Sequence, residues 1–215
     1  MGGRTGDGPV KPAPDGFSAY DAPWHRAALG VTLAAGGIGA WTIDEARAAR
    51  ERLPEYAQLS YYEKWIAALA DLLVAKGLVT PAELAEGTAA PAPLSPRALA
   101  AGRVAEVLRR GSAYARPGGA PLFAPGDRVQ SRAVPDNAFV PGGHTRLPLY
   151  LAGKAGRIVL SHGPHVFPDK NGQGLGEAPE PLYTVAFRAA DLWDAPENPE
   201  DEVTADLWQS YLVRS

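Results

Sequence analysis

The pattern of the sequence changes once along the chain, close to residues 117–121, and this change limits the folds that are open to it. Before this point, alanine-rich segments begin at helix-capping signatures. After it, short apolar runs are separated by glycine and proline. Capped helices followed by short strands are typical of an α+β fold with the two kinds of structure segregated. The sequence therefore predicts a helical half followed by a β half.

Local signals define the predicted helices. The apolar spacing from Trp24 to Leu33 predicts a first helix that ends at Gly36–Gly37. Capping boxes predict the starts of three more helices, at Thr42 with Glu45, Ser60 with Glu63, and Thr80 with Glu83. Ser95–Pro96 predicts the start of a further helix toward Arg110, because proline is favoured in the first turn.

The β half is predicted from short apolar runs between turn residues. A turn from Phe123 leads into a strand at Val129, and four more strands are predicted at Leu147–Leu151, Gly156–Leu160, Leu182–Phe187 and Val203–Leu207. Five short strands of this kind predict a small closed barrel of SH3-like size. The long glycine-rich stretch Phe167–Pro181 predicts a loop with a function or a partner contact.

These patterns divide the chain into three parts. Residues 1–20 are mostly glycine, proline and small polar residues, and they predict an extended arm because they carry too few apolar side chains to pack alone. Residues 21–116 form the predicted helical domain and residues 117–215 the predicted SH3-like barrel.

Composition excludes several classes of function. The net charge of −3 disfavours general nucleic-acid or membrane-surface binding, and no apolar run predicts a transmembrane helix or a secretory signal, so we expect a cytoplasmic protein. The absence of cysteine removes disulfides, thiolate nucleophiles and cysteine-ligated metal sites. His162 and His165 lie in a turn with no third ligand at a familiar spacing, so they give little support for a metal site.

Two arginines stand in positions that suit an anionic partner. Arg146 follows Gly142–Gly143 and precedes Pro148, which predicts a guanidinium on a stiff, turned segment. Arg47 lies early in a predicted helix, where a cation opposes the helix dipole unless an anion faces it. The alternatives are a solvated loop arginine and an ordinary ion pair of Arg47 with Glu51.

Tyr61 and Trp65 are four residues apart and share one face of a predicted helix. They are either core aromatics or an apolar wall with a hydroxyl at one end, which would suit a small organic substrate. The chain shows no nucleophile elbow and no carboxylate pair, so self-contained catalysis is not supported. Candidate arginine donors and an aromatic wall indicate part of a shared site.

Several blocks, in their order along the chain, resemble the β subunit of nitrile hydratase. They are Tyr61–Trp65, Gly142–Tyr150, Phe167–Glu177, Pro181–Phe187, Ala189–Trp193 and Asp206–Leu212. The likeness extends from about Gly2 to the C-terminus, and the joint order of the blocks makes it specific.

The resemblance implies an α/β heterodimer, usually paired into an (αβ)2 heterotetramer, that hydrates a nitrile to an amide. In that family the α subunit holds Co(III) or Fe(III) through three cysteine sulfurs and two backbone amides, and two of the sulfurs are oxidised. This chain would supply no metal ligand. The family's two β-subunit arginines, which hydrogen-bond the oxidised sulfurs, fall on Arg47 and Arg146.

The resemblance also places Ile43, Tyr61 and Trp65 on the substrate pocket. Trp65 favours the cobalt type, because iron-type relatives have tyrosine there. The implied fold is a helical half with an arm that embraces the α subunit, followed by an SH3-like barrel. Lys64 replaces a histidine of some cobalt-type members, and Ala46 replaces a phenylalanine, which would enlarge the pocket.

Two other functions stay open. One is a subunit of thiocyanate hydrolase, which shares the metal centre but divides the β-like portion between two chains. The other is a non-catalytic activator or chaperone, which would resemble mainly the helical half.

Overall fold

The structure of the chain is a computed structural model that describes residues 12–89, 91, 93, 96–133 and 145–215. It forms two compact units, residues 12–112 and residues 113–215, which are treated separately below. The first is helical and the second is built on a five-stranded antiparallel sheet, as expected for an α+β fold.

Five helices make up the first unit: α1 (Pro23–Gly37), α2 (Ile43–Glu51), α3 (Tyr61–Ala75), α4 (Pro81–Glu86) and α5 (Ala101–Arg110). The predicted capping boxes at Thr42 and Thr80 form in full, with each threonine hydroxyl accepting from the N–H of the glutamate three residues on. At Ser60 the backbone N–H donates to the Glu63 carboxylate at 2.7 Å. Helix α5 starts five residues later than Pro96 predicted, so proline marked a turn there and not the first helical residue.

The core of the helical unit lies between α2 and α3. Its buried apolar residues are Trp41, Ala49, Leu53, Ala68, Leu69 and Leu72. Ala46 packs against this cluster. An ion pair between Glu45 and Lys76, 2.6 Å long, joins the start of α2 to the end of α3. These contacts fix the relative position of the two helices that carry Arg47, Tyr61 and Trp65.

The second unit contains strands β1 (Arg128–Ser131), β2 (Ala155–His165), β3 (Glu180–Arg188), β4 (Glu202–Trp208) and β5 (Leu212–Arg214). Two four-residue helices, α6 (Pro168–Asn171) and α7 (Ala189–Leu192), lie between the strands. The strand order is β4-β3-β2-β1-β5, with all neighbours antiparallel.

The predicted closed barrel is not seen, because β4 and β5 are the two edges of an open sheet in the part of the chain that the structure describes. The sheet is nonetheless curved. A single 3₁₀ turn, Gln209–Tyr211, carries the chain from one edge to the other, and such a turn advances only about 6 Å. Register shifts in β2 on either side of Leu160 add to the curvature.

One predicted strand is wrong. Leu149–Leu151 forms a 3₁₀ turn in which the Leu151 N–H donates to the Pro148 carbonyl at 3.0 Å. Proline has no N–H to offer a strand partner, so the apolar run packs as a turn instead. Leu151 is fully buried in the core of this unit, together with Val129, Ile158, Tyr183 and Phe187.

The predicted arm falls only partly on described residues, since residues 1–11 lie outside them. Residues 12–19 are exposed, and Tyr20 stacks on Tyr62 of the helical unit with ring centroids 5.9 Å apart. None of the helices in the described residues combines the length and the apolar character that a membrane crossing requires.

Candidate functional site

Arg47 lies on the first half of α2, on a helix start that is tightly capped. The Glu45 carboxylate accepts from the Thr42 N–H at 2.7 Å, and the Thr42 hydroxyl accepts from the Glu45 N–H at 3.1 Å. Asp44, three residues before Arg47, is fully buried, and its Oδ1 lies 3.6 Å from Arg47 Nη1. The guanidinium therefore has a buried anion one turn behind it while its side chain stays 39% exposed.

A cleft of about 200 Å³ opens between α2, the following turn and α3. Its lining residues are Arg47, Arg50, Glu51, Tyr56, Tyr61, Lys64 and Trp65. The predicted aromatic wall is present, with the Tyr61 and Trp65 ring centroids 5.6 Å apart. Ile43 is 49% exposed in the first turn of α2 and is not among the lining residues, nor is Ala46.

Cations and aromatic rings face each other inside this cleft. The Arg50 guanidinium carbon lies 4.8 Å from the centre of a Trp65 ring, and Lys64 Nζ lies 4.2 Å from the centre of the Tyr56 ring. Burial, together with the neighbouring charge of Arg47, lowers the pKa of Arg50. Three cationic side chains against the one carboxylate of Glu51 give the cleft a positive potential, which favours an anionic partner.

Arg50 and Tyr56 were not predicted as site residues from the sequence. Arg50 follows Arg47 by three residues on the same helix, and this spacing could have predicted that both side chains lie on one face. Tyr56 lies in the turn after α2, where no local pattern predicts its contact with Lys64.

Arg146 lies in the second unit and is held through its backbone. Its N–H donates to the Tyr211 hydroxyl at 2.9 Å, and the neighbouring Thr145 hydroxyl donates to the same oxygen at 3.2 Å. The Tyr211 hydroxyl in turn donates to Asp169 Oδ1. Burial and the adjacent Asp169 charge raise the pKa of Tyr211, so its hydroxyl stays protonated as a donor.

Asp169 belongs to the glycine-rich stretch that the sequence predicted to be important. It is the second residue of α6 and only 2% exposed. The end of that stretch is anchored as well, because Glu177 accepts two 2.7 Å hydrogen bonds from the Arg116 guanidinium. The predicted loop thus contains α6 and leads into β3, and its Asp169 carboxylate, through Tyr211, supports the backbone of Arg146.

The five predicted site residues are therefore only partly brought together. Arg47, Tyr61 and Trp65 line one cleft. Ile43 lies on the same helix as Arg47 but does not line the cleft, and Arg146 belongs to the other unit. The convergence of Arg47 and Arg146 stays a prediction.

Comparison with known families decides the relationship. Residues 1–107 match the family model "Nitrile hydratase beta subunit, N-terminal", and residues 112–214 match "Nitrile hydratase beta subunit, C-terminal". The chain belongs to the nitrile hydratase β-subunit family. The family's enzyme is a hydro-lyase, in agreement with the resemblance seen in the sequence.

Individual relatives agree over nearly the whole length. The low-molecular-weight cobalt-containing nitrile hydratase subunit beta of Rhodococcus rhodochrous is 33% identical, over 99% of this chain and 96% of the relative. The nitrile hydratase subunit beta of Pseudomonas putida is 36% identical over 98% and 95%. The cobalt-containing subunit beta of Pseudonocardia thermophila is 31% identical over 99% and 93%.

Among solved structures, the recombinant apo-enzyme of thiocyanate hydrolase from Thiobacillus thioparus is similar at 27% identity. The match covers 46% of this chain and 79% of that chain, with a TM-score of 0.41. A likeness of this extent supports no conclusion about the function of this chain.

The donor groups of this chain indicate how it would relate to a metal centre. The chain has no cysteine, and among its described residues no group of three or more histidines, aspartates or glutamates could hold an ion. What the cleft offers is guanidinium and ammonium groups, which bind anions. Such groups fit contact with the negatively charged ligands of a metal, not with the metal itself.

Proposed function

We propose that this chain is the β subunit of a nitrile hydratase whose α subunit holds Co(III), or alternatively Fe(III), and that it completes the substrate pocket and the surroundings of the metal ligands. The observation that carries the proposal is the cleft in which Arg47 lies beside the Tyr61–Trp65 wall. The names of two relatives as cobalt-containing support cobalt.

Arg47 and Arg146 would each donate hydrogen bonds to the oxygens of oxidised cysteines in the partner. A guanidinium keeps its charge at any working pH and presents its donors in a fixed fork, so it can hold an oxyanion in one orientation. Hydrogen bonds to charged groups contribute about 1.5–3 kcal/mol each, and more is lost when the buried anion is left alone. The bound metal would supply Lewis-acid activation of the nitrile or of water.

Tyr61 and Trp65 would bind the organic part of the nitrile. Their rings offer apolar area that excludes water, and the Tyr61 hydroxyl offers a polar group at one end. Arg50, stacked on Trp65, would restrict the indole to one orientation. Ile43 would extend the apolar surface from the first turn of α2.

The assembly follows the same proposal. The arm of residues 1–20 embraces the α subunit, residues 21–116 and 117–215 act as helical and SH3-like domains, and two αβ pairs form an (αβ)2 heterotetramer in the cytoplasm. The curvature of the five-stranded sheet and the short link between its edges support the SH3-like part.

The test uses the full chain co-expressed with its α partner. We expect Arg47→Lys and Arg146→Lys each to lower nitrile hydration by about 10–100-fold while the complex still forms, because lysine keeps the charge but loses the fork. Arg103→Lys and Arg157→Lys are the matched controls, since both arginines form exposed ion pairs, with Glu106 and Glu202 respectively. Size-exclusion chromatography and metal analysis verify assembly.

Full turnover in both test variants would contradict the roles assigned to the two arginines. Turnover of thiocyanate but not of nitriles would identify the complex as a thiocyanate hydrolase. If this chain dissociates from the α subunit once the metal is bound, it is an activator and not a subunit.

A further inference from the structure

The Tyr211 hydroxyl connects three separate segments of the second unit. It accepts hydrogen bonds from the Arg146 N–H and the Thr145 hydroxyl, and it donates one to Asp169 of α6. Tyr211 itself ends the 3₁₀ turn between β4 and β5. Tyr211 and Asp169 are each 2% exposed, so water does not compete for these bonds.

The bonds act on the backbone directly at Arg146. Its N–H is fixed by Tyr211 on one side, and on the other the Leu147 side chain is 4% exposed and packed in the core. The Leu147 N–H donates to Thr145 Oγ1 at 3.3 Å, and Pro148 follows with its φ restricted by its ring. Because the backbone is held at consecutive residues, the direction in which the Arg146 side chain leaves it is fixed.

We propose that Tyr211 and Asp169 are positioning residues for Arg146, holding its backbone so that the guanidinium reaches its anionic partner in one orientation. This inference rests on the function proposed above for Arg146. Asp169 acts through Tyr211: its carboxylate accepts the hydrogen bond that the hydroxyl donates, which leaves the oxygen lone pairs of Tyr211 directed to Thr145 and Arg146.

The same core contains a tyrosine that serves as a control. Tyr183 is fully buried, its hydroxyl accepts from the Leu122 N–H at 3.1 Å, and it donates to Gln209 at 2.8 Å. Tyr183→Phe also removes a buried tyrosine hydroxyl from this unit, but it removes no hydrogen bond to Thr145 or Arg146. A purely structural role for Tyr211 predicts equal effects from the two substitutions.

The experiment compares Tyr211→Phe and Tyr183→Phe in the assembled αβ complex. Tyr211→Phe is expected to raise amide hydrogen exchange of a peptide covering residues 145–151 by about tenfold, the effect of one lost hydrogen bond. It is also expected to lower kcat by about tenfold with KM changed less than about twofold, because the orientation matters for chemistry more than for binding. Tyr183→Phe should leave the exchange of this peptide and kcat unchanged.

A double-mutant cycle separates the possible failures. If Arg146→Ala lowers kcat and Tyr211→Phe has no further effect in that background, the tyrosine acts through the arginine. If Arg146→Ala lowers kcat but Tyr211→Phe changes neither kcat nor exchange, the positioning role is wrong and the proposed function stands. If Arg146→Ala keeps full activity, the proposed role of Arg146 is itself wrong.

Asp169→Asn provides a second route that does not alter the tyrosine. The amide oxygen can still accept from Tyr211 but without the charge, so kcat and the exchange of residues 145–151 should change in the same direction as in Tyr211→Phe and by a smaller factor. Exchange and kcat identical to those of the wild-type complex would overturn the role of Asp169.

Discussion

The shape of the cleft in the helical unit depends on the relative position of α2 and α3, and Glu45 helps to fix that position. One of its carboxylate oxygens accepts from the Thr42 N–H at 2.7 Å, and the other accepts from Lys76 Nζ at 2.6 Å. The side chain is 16% exposed, against 34% for Lys76. Glu45→Ala removes both contacts, and Glu45→Gln removes the charge while keeping an acceptor for the cap.

The expected loss follows from these contacts. A capping interaction contributes about 1 kcal/mol and a partly exposed ion pair about 0.5–1 kcal/mol, so Glu45→Ala should lower the free energy of unfolding by about 1.5–2 kcal/mol at pH 7. Glu45→Gln should lower it by about 0.5–1 kcal/mol. Glu83→Ala is the matched control, because Glu83 caps α4 in the same way on an exposed helix end.

Urea denaturation of the full chain, followed by helical circular dichroism, measures these differences, and repeating it against pH tests their origin. Burial by itself raises the pKa of Glu45, but the hydrogen bonds from Lys76 and from the Thr42 N–H lower it below its usual value. A lowered pKa stabilises the fold above the unfolded-state pKa, and this stabilisation is lost as the pH falls through the folded-state value. The difference between wild type and Glu45→Gln should therefore be largest near neutral pH and disappear in acid.

Two results would refute this reasoning. One is an equal loss for Glu45→Ala and Glu83→Ala, which would mean that the contact with Lys76 contributes nothing. The other is a difference between wild type and Glu45→Gln that does not change with pH. A Lys76→Met double-mutant cycle should give a coupling of about 0.5–1 kcal/mol if the ion pair joins the helices as described.

Three further substitutions test other parts of the structure. Arg50→Met should raise KM for an aromatic nitrile about 2–5-fold in the αβ complex, because the cation that orients Trp65 is worth about 0.5–1 kcal/mol; unchanged KM would contradict this. Gly156→Ala should destabilise the second unit by about 1–3 kcal/mol in thermal unfolding, since the added Cβ would lie 2.7 Å from a Val185 methyl; a melting temperature equal to that of the wild type would show the strand to be adaptable. Gly102→Ala in the first turn of α5 meets nothing within 4 Å and should be neutral or slightly stabilising, and any clear loss in the same measurement would contradict that expectation.

The helical unit shows which structures local sequence predicts well. The boxes at Thr42 and Thr80 involve residues three apart, so their partners are written next to each other in the chain. Gly87, just after α4, has a positive φ of 66°, which glycine adopts without strain, and it ends that helix. The later start of α5 shows the limit, because a proline after serine marks a turn as readily as a helix start.

In the second unit the errors concern contacts between distant residues. Leu147–Leu151 has the apolar character of a strand, but Pro148 and the burial of Leu151 make it a turn. Strand β5 was not predicted, because it is three residues long and exists through its pairing with β1. Whether a sheet closes depends on its edges, and single-strand patterns do not describe them.

For the candidate site, the residue types and the family relationship were readable from the sequence alone: two arginines suited to anions, an aromatic pair one helical turn apart, and no cysteine. The tertiary structure decided which groups support them. Arg50 on Trp65, and Asp169 with Tyr211 behind Arg146, are joined across 15 to 65 positions of the chain in contacts that no local pattern encodes. Local interactions act over one turn of helix and are visible in the order of residues, whereas the direction of a buried side chain depends on everything that packs around it.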